Sequence, residues 1–330
     1  SAPTPHEITC GEILTHSIVV TNDLIDCPGD GLVVGANGIT VDLDGHTIDG
    51  VGLDGGVVNM GFDSVTIKNG TITEFDYGVM LNPGSAKGLV TGIRAELNQE
   101  AGIALADADE GGFGNIVRDN TVVMNKVGIA LYSNTRYTVV RDNHVGGNLG
   151  DGILLEMAHE NTIQANEVAN SAGFGVFIFG GHDNAVLDNE LHANLGGVSV
   201  GEELIPSNRT RVVNNTIVDS HDNGIVVMDS SEVQILFNVV RDGGSGVIME
   251  LSDNTLVKGN DLSGNVTGVV VEESTDVIID SNNASGGLGS GIEIGSLSAN
   301  ITVLNNAASA NGGVGIEISD AAPAGQGAQI

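Results

Sequence analysis

Between positions 132 and 183 the sequence carries Tyr132, Arg136, Tyr137, Glu156, His159, Glu160, His182 and Asp183. These side chains are of the types that move a proton at the carbon beside a carboxylate. A base, His159 or His182, would take the proton, and a cation, Arg136, would neutralise the carboxylate. An acid, Tyr132 or Tyr137, would protonate the leaving oxygen. Such a set performs β-elimination on an acidic sugar, or epimerisation if a proton returns from the other face. Hydrolysis would use paired carboxylates instead, for which Glu156 with Glu160 or Asp183 are the candidates. The same histidines with Asp183 form a weaker donor set for a divalent cation, calcium or another, against the plainer reading that they are polar turn residues. Phe177 and Phe179, with Glu160 and Asp183, would contact the substrate.

The elements that must position these groups come from a repeat. A unit Gly-h-x-h, with h apolar, begins at Gly78, Gly102, Gly128, Gly152, Gly175, Gly197, Gly224, Gly246, Gly268, Gly291 and Gly315, at spacings of 22 to 27 residues. Before most of these glycines stands an asparagine, among them Asn120, Asn143, Asn166, Asn189, Asn215, Asn238, Asn260, Asn282 and Asn306. Each period holds about three short alternating runs separated by Gly, Asn or Asp, which read as strands and turns. Three strands in so few residues cannot bury an apolar face alone, so successive periods must stack, strand upon equivalent strand. Asparagines repeated at one turn would then hydrogen-bond from coil to coil.

Stacking sets a register. Counting back seven residues from the repeat asparagine gives Arg136, His159, His182 and Asn208, and one residue further on lie Tyr137, Glu160, Asp183 and Arg209. Outward positions such as Ala104, Ala130, Leu154, Phe177, Val226 and Ile248 form an apolar strip that predicts a covered surface. Six of the ten aromatic residues fall between Phe113 and Phe179. The two longest spacings place extra residues at about 106–114 and 201–207, as two walls of a groove across coils 128–200. The acids Glu202, Glu203, Asp229, Glu250, Glu272 and Glu273 read as a solvated face.

The pattern from about Gly38 to Ile318 resembles right-handed parallel β-helix proteins with short Gly/Asn-rich coils: NosD-like proteins, polysaccharide lyases and mannuronan C5-epimerases. The resemblance implies an all-β, single-stranded right-handed parallel β-helix of about 11–13 coils, three short strands per coil. It carries no catalytic residue across. The epimerase Asp-Pro-His-Asp, the polygalacturonase motifs and the calcium nonapeptide repeat are absent from the sequence. The segment Gly38–Gly50 resembles an opening coil. Its Asp42, Asp44, His46 and Asp49 suggest a metal site or, more simply, turn chemistry.

Composition bounds the rest. Gly is 49 of 330 residues, Trp is absent, and the net charge is −32. A thin interior filled by Val, Ile, Leu and Ala needs no Trp. The charge excludes nucleic acid as a partner and opposes a polyanionic substrate, unless salt screens it; the scarcity of lysine resembles a halophilic surface. No apolar run approaches the roughly 20 residues that span a membrane. Cys10 and Cys27 are placed to form a disulfide in an N-terminal cap, residues 1–37, before a β-helix over 38–320 and a flexible tail over 321–330. An uncovered last coil would invite self-association. The start Ser-Ala-Pro-Thr-Pro reads as a mature secreted terminus, hence a secreted, periplasmic or cell-surface location. The leading expectation is a carbohydrate-active enzyme, a polysaccharide lyase or epimerase. The alternative is a non-catalytic NosD-like module that binds glycan, cation or protein.

Overall fold

The structure, a computed structural model, describes residues 3–108 and 113–319. They fall into two compact units, Ser1–Ala172 and Gly173–Ile330. The tail expected over 321–330, and positions 109–112 of the first expected wall, lie outside the described residues.

In the first unit a coil runs through strands Val127–Tyr132, Val139–Arg141 and His144–Gly146. The first pairs in parallel with Ala101–Ala106 and Ile153–Glu156. The second pairs with Ile116–Arg118 and Thr162–Gln164, and the third with Thr121–Val123 and Glu167–Ala169. Parallel pairing already links Thr4 with Ile18 and Glu12 with Leu32, so residues 4–34 carry coil strands as well as the Cys10–Cys27 disulfide. That bond closes a loop 17 residues apart, with its sulfurs 2.02 Å apart.

The second unit repeats the plan. Phe174–Phe179, Ala185–Leu187 and Glu190–His192 pair in parallel with Gly196–Val200, Arg211–Val213 and Thr216–Val218. The pattern continues to Ile316–Ile318. There is no helix among the described residues. The chain is thus a parallel β-solenoid with three short strands per coil, as the repeat predicts.

Two features make this sequence take this form. The apolar residues of each Gly-h-x-h unit turn inward: Ile129 and Leu131, and likewise Val198 and Val200, are fully buried. The glycine before them is required by space. A Cβ on Gly128 would lie 2.4 Å from the Gly152 carbonyl oxygen, and one on Gly224 would lie 2.1 Å from Val240 Cγ1. At the turns, buried side chains link coil to coil. Asn143 Nδ2 donates to Asn166 Oδ1 at 2.9 Å, and Asn238 Nδ2 to Asn260 Oδ1 at 3.0 Å. A second, serine ladder runs through Ser207, Ser230, Ser252, Ser274 and Ser298, each backbone N–H donating to the next hydroxyl.

Candidate functional site

In the first unit, alternation aims Ala104 and Ala130 outward, yet both are fully buried. The predicted strip is covered here by the protein's own side chains. Tyr132 stands in register with Ala106 and Glu156 beside it. Burial pushes its phenol above the usual tyrosine range, with Tyr77, Glu156 and Glu100 adding to the effect. Lys126 Nζ sits 2.6 Å from Glu100 in the same patch. Tyr132 therefore stays protonated at neutral pH and carries a proton that it can donate.

The turn after this strand brings the next candidates together. Arg136 and His159 form a parallel bridge, with the His159 N–H donating to Thr135 O at 3.0 Å. Tyr137 and Glu160 follow them, both in the left-handed region at φ +53° and +57°. Arg136 is half-buried and makes no ion pair among the described residues. Arg118 and Arg141, by contrast, each sit against the aspartate that follows them in the chain. Glu160 turns Oε2 into a buried position with no hydrogen-bond partner among the described residues.

The second unit holds Phe177, Phe179, His182 and Asp183. The rings of Phe174 and Phe177 lie 5.6 Å apart and those of Phe177 and Phe179 5.0 Å, as tilted neighbours. Phe174 needs Gly196 beneath it, where a Cβ would lie 2.3 Å from the ring. The rings of Phe174 and Phe177 line a groove of about 430 Å³, together with Ser199, Glu202, Glu203 and Met228. The extra residues after Gly201 build its wall. Glu202 and Ile205 exchange backbone hydrogen bonds at 3.1 and 2.8 Å, and Asp229 Oδ2 accepts from the Leu204 N–H at 2.8 Å. Gly201 enters this turn at φ +84°, where a Cβ would also lie 2.1 Å from Met228 O.

His182 and Asp183 lie at an exposed turn of this unit. Asp183 accepts from Arg209 Nε at 2.8 Å and Nη2 at 2.7 Å, and contacts His182 Nδ1 at 2.7 Å. Arg209 above all holds its carboxyl down to about 2. With its oxygens committed, Asp183 is poorly placed to hold a cation. Among the described residues no group of three His, Cys, Asp or Glu converges as metal ligands. In the opening coil, Asp42 contacts Lys68 at 2.8 Å and His46 contacts Asp23 at 2.9 Å, which is turn chemistry.

The sequence reading missed the groove role of Glu202 and Glu203, which are exposed as expected but rim an aromatic floor. It also missed Tyr77 and Glu100 around Tyr132. The long spacing between Gly197 and Gly224 was the available signal for the first pair. For Tyr77, the signal was its position next to a repeat glycine in a chain with three tyrosines.

A family model described as periplasmic copper-binding protein (NosD) matches residues 31–222, and one described as right handed beta helix region matches residues 199–326. Among curated proteins no sequence matches. Solved structures share the fold. The A-module of a mannuronan C-5 epimerase of Azotobacter vinelandii superposes with a TM-score of 0.58 at 13% identity, over 93% of this chain and 91% of that one. The periplasmic alginate epimerase AlgG gives 0.55 at 16%, over 94% and 79%. The DFA-IIIase of Arthrobacter chlorophenolicus, in complex with DFA-III, gives 0.56 at 14%, over 89% and 75%.

Proposed function

Because the chain belongs to the NosD family of periplasmic copper-binding proteins, we propose that it acts in the periplasm or at the cell surface, and that it binds a glycan there. The carrying observation is the walled groove in the second unit, where the Phe174 and Phe177 rings meet Glu202 and Glu203. A pyranose ring has one face of C–H groups and a rim of hydroxyls. The first stacks on an aromatic ring, and the second donates to carboxylates. A net charge of −32 favours an uncharged sugar over a polyanion.

The described residues offer no thiolate or imidazole set that fits the family's metal. Copper sites draw on thiolate, thioether and imidazole donors. Both cysteines are consumed in the disulfide, and no group of three His, Cys, Asp or Glu converges among the described residues. No step of the proposed function runs through copper.

A second reading, elimination or epimerisation of an acidic sugar, is favoured by the first unit. Tyr132 is held protonated, Arg136 has no ion pair among the described residues, and His159 bridges to Arg136 on the neighbouring coil. In that reading Tyr132 is the acid, Arg136 neutralises the substrate carboxylate and His159 is the base.

One experiment separates the readings. Calorimetry with cellohexaose and mannohexaose should show binding by the wild type that Phe177→Ala weakens by about tenfold or more, as expected for an aromatic anchor; an unchanged Kd would remove the groove assignment. Incubation with polymannuronate tests the chemistry. Unsaturated ends seen by ultraviolet absorbance, or epimers seen by NMR, should vanish in Arg136→Ala and in His159→Ala. A wild type that makes neither product retires the second reading.

A further inference from the structure

The second unit has another groove, on its other sheet. It encloses about 500 Å³ over the turn and first residues of strands Arg211–Val213, Gln234–Leu236, Leu256–Lys258 and Ile278–Asp280. Arg211, Gln234, Leu256 and Ile278 stand in one row, each in register with the next. Arg209, Glu232, Asn254 and Asp276 stand in a parallel row at the preceding turns, all left-handed, at φ +54°, +58°, +50° and +54°. Their backbone N–H groups are spent on carbonyls of the next coil, at 2.9 to 3.2 Å.

Of the side chains in this row, Arg209 and Asp276 are paired, with Asp183 and Asn300, and among the described residues Glu232 and Asn254 are not. Around the groove, the side chains of Arg211, Glu232, Gln234 and Asn254 make no hydrogen bond among the described residues. A cation, a carboxylate and two amides therefore line the groove beside the apolar side chains of Leu256 and Ile278, with Val233 buried below.

We infer that this groove is a second glycan site, for an uncharged, extended oligosaccharide lying along the coil direction. Arg211, Gln234 and Asn254 donate to sugar oxygens, Glu232 accepts from sugar hydroxyls, and Leu256 and Ile278 take the C–H faces. The rows repeat at about 4.8 Å, a step close to the advance of a β-linked pyranose chain, so successive sugars meet equivalent positions. Among the lining residues the carboxylates of Glu232 and Asp276 balance the cations of Arg209 and Arg211, so no excess of positive charge is left and a polyuronate is disfavoured. The inference shares its ligand class with the proposed function but rests on different residues and a different sheet.

Calorimetry with cellohexaose and mannohexaose on the full chain tests it, with hexamannuronate as the charged comparison. The wild type should take up two neutral hexasaccharides. Arg211→Ala/Gln234→Ala should lose one of them, by about tenfold or more in affinity, and Asn254→Ala should weaken the same site. Phe177→Ala should lose only the other. All these positions are surface groups, and an unchanged circular dichroism spectrum and melting temperature verify folding. The inference is overturned if Arg211→Ala/Gln234→Ala binds as the wild type does, if Phe177→Ala alone abolishes all binding, or if only hexamannuronate depends on Arg211. If Phe177→Ala keeps both sites, the proposed groove fails while this one stands.

Discussion

Asp183 accepts from both Nε and Nη2 of the Arg209 guanidinium. Such a bidentate pair is at the strong end for exposed ion pairs, though solvent screens it. The Asp183 carboxyl is lowered from its ordinary 3.8 to about 2, so the pair's contribution is present above about pH 4 and lost as pH falls toward 2. Arg209→Gln should therefore lower the denaturation midpoint at pH 5. The gap to the wild type should close between about pH 4 and pH 2, and a gap that persisted at pH 2 would contradict the pair as its cause. Spacing alone placed Asp183 and Arg209 at equivalent turns of successive coils, one residue after His182 and Asn208. It could not show that the two side chains meet, because a left-handed turn aims its side chain by a backbone angle the repeat does not encode. For the same reason Arg136 and His159 were legible as neighbours, and the burial of Glu160 Oε2 was not.

At the scale of the coil, the asparagine ladders are the regular part, and one rung is irregular. Asn98 and Asn125 each donate, through backbone N–H and side-chain amide, to the next asparagine, ending at Asn148 Oδ1. Ser171 holds the next position, since Ala172 N–H donates to Asn148 O at 2.9 Å just as Leu149 N–H does to Asn125 O at 2.8 Å. The Asn148 Nδ2 is left buried with no acceptor among the described residues. Ser171→Asn would supply one, and should raise stability by about 1 kcal/mol, read as a higher midpoint in chemical denaturation. A lower midpoint would show that the site has no room for the amide. This ladder was legible because asparagine recurs at fixed distance from a glycine. The serine ladder from Ser207 to Ser298 was not, because serine is common at any exposed turn. The wall at Glu202–Ile205 showed in the sequence only as excess length, since a four-residue hairpin has no repeat to reveal it.

For the whole molecule the charge governs behaviour in solution. Most of the eleven cations sit against carboxylates, and of the 43 acidic charges an excess of 32 is left to repel itself. Raising ionic strength from about 0.01 M to about 1 M shortens the Debye length from about 30 Å to about 3 Å. Sodium chloride over that range should raise the melting temperature, and a flat or falling trend would mean that self-repulsion does not limit stability. Composition foretold the thin interior, and the repeat foretold the coils. The stacked glycines and asparagines also constrain how such a gene can change in length. In the second unit, rungs of the ladder follow each other after 23, 22, 22 and 24 residues. Insertion or loss of a full period delivers every glycine and asparagine to an equivalent neighbour, whereas a change of one or two residues inside a strand turns inward side chains outward. Length is therefore expected to vary in whole coils, with small insertions confined to turns such as Glu202–Ile205, where new grooves can be walled without disturbing the stack.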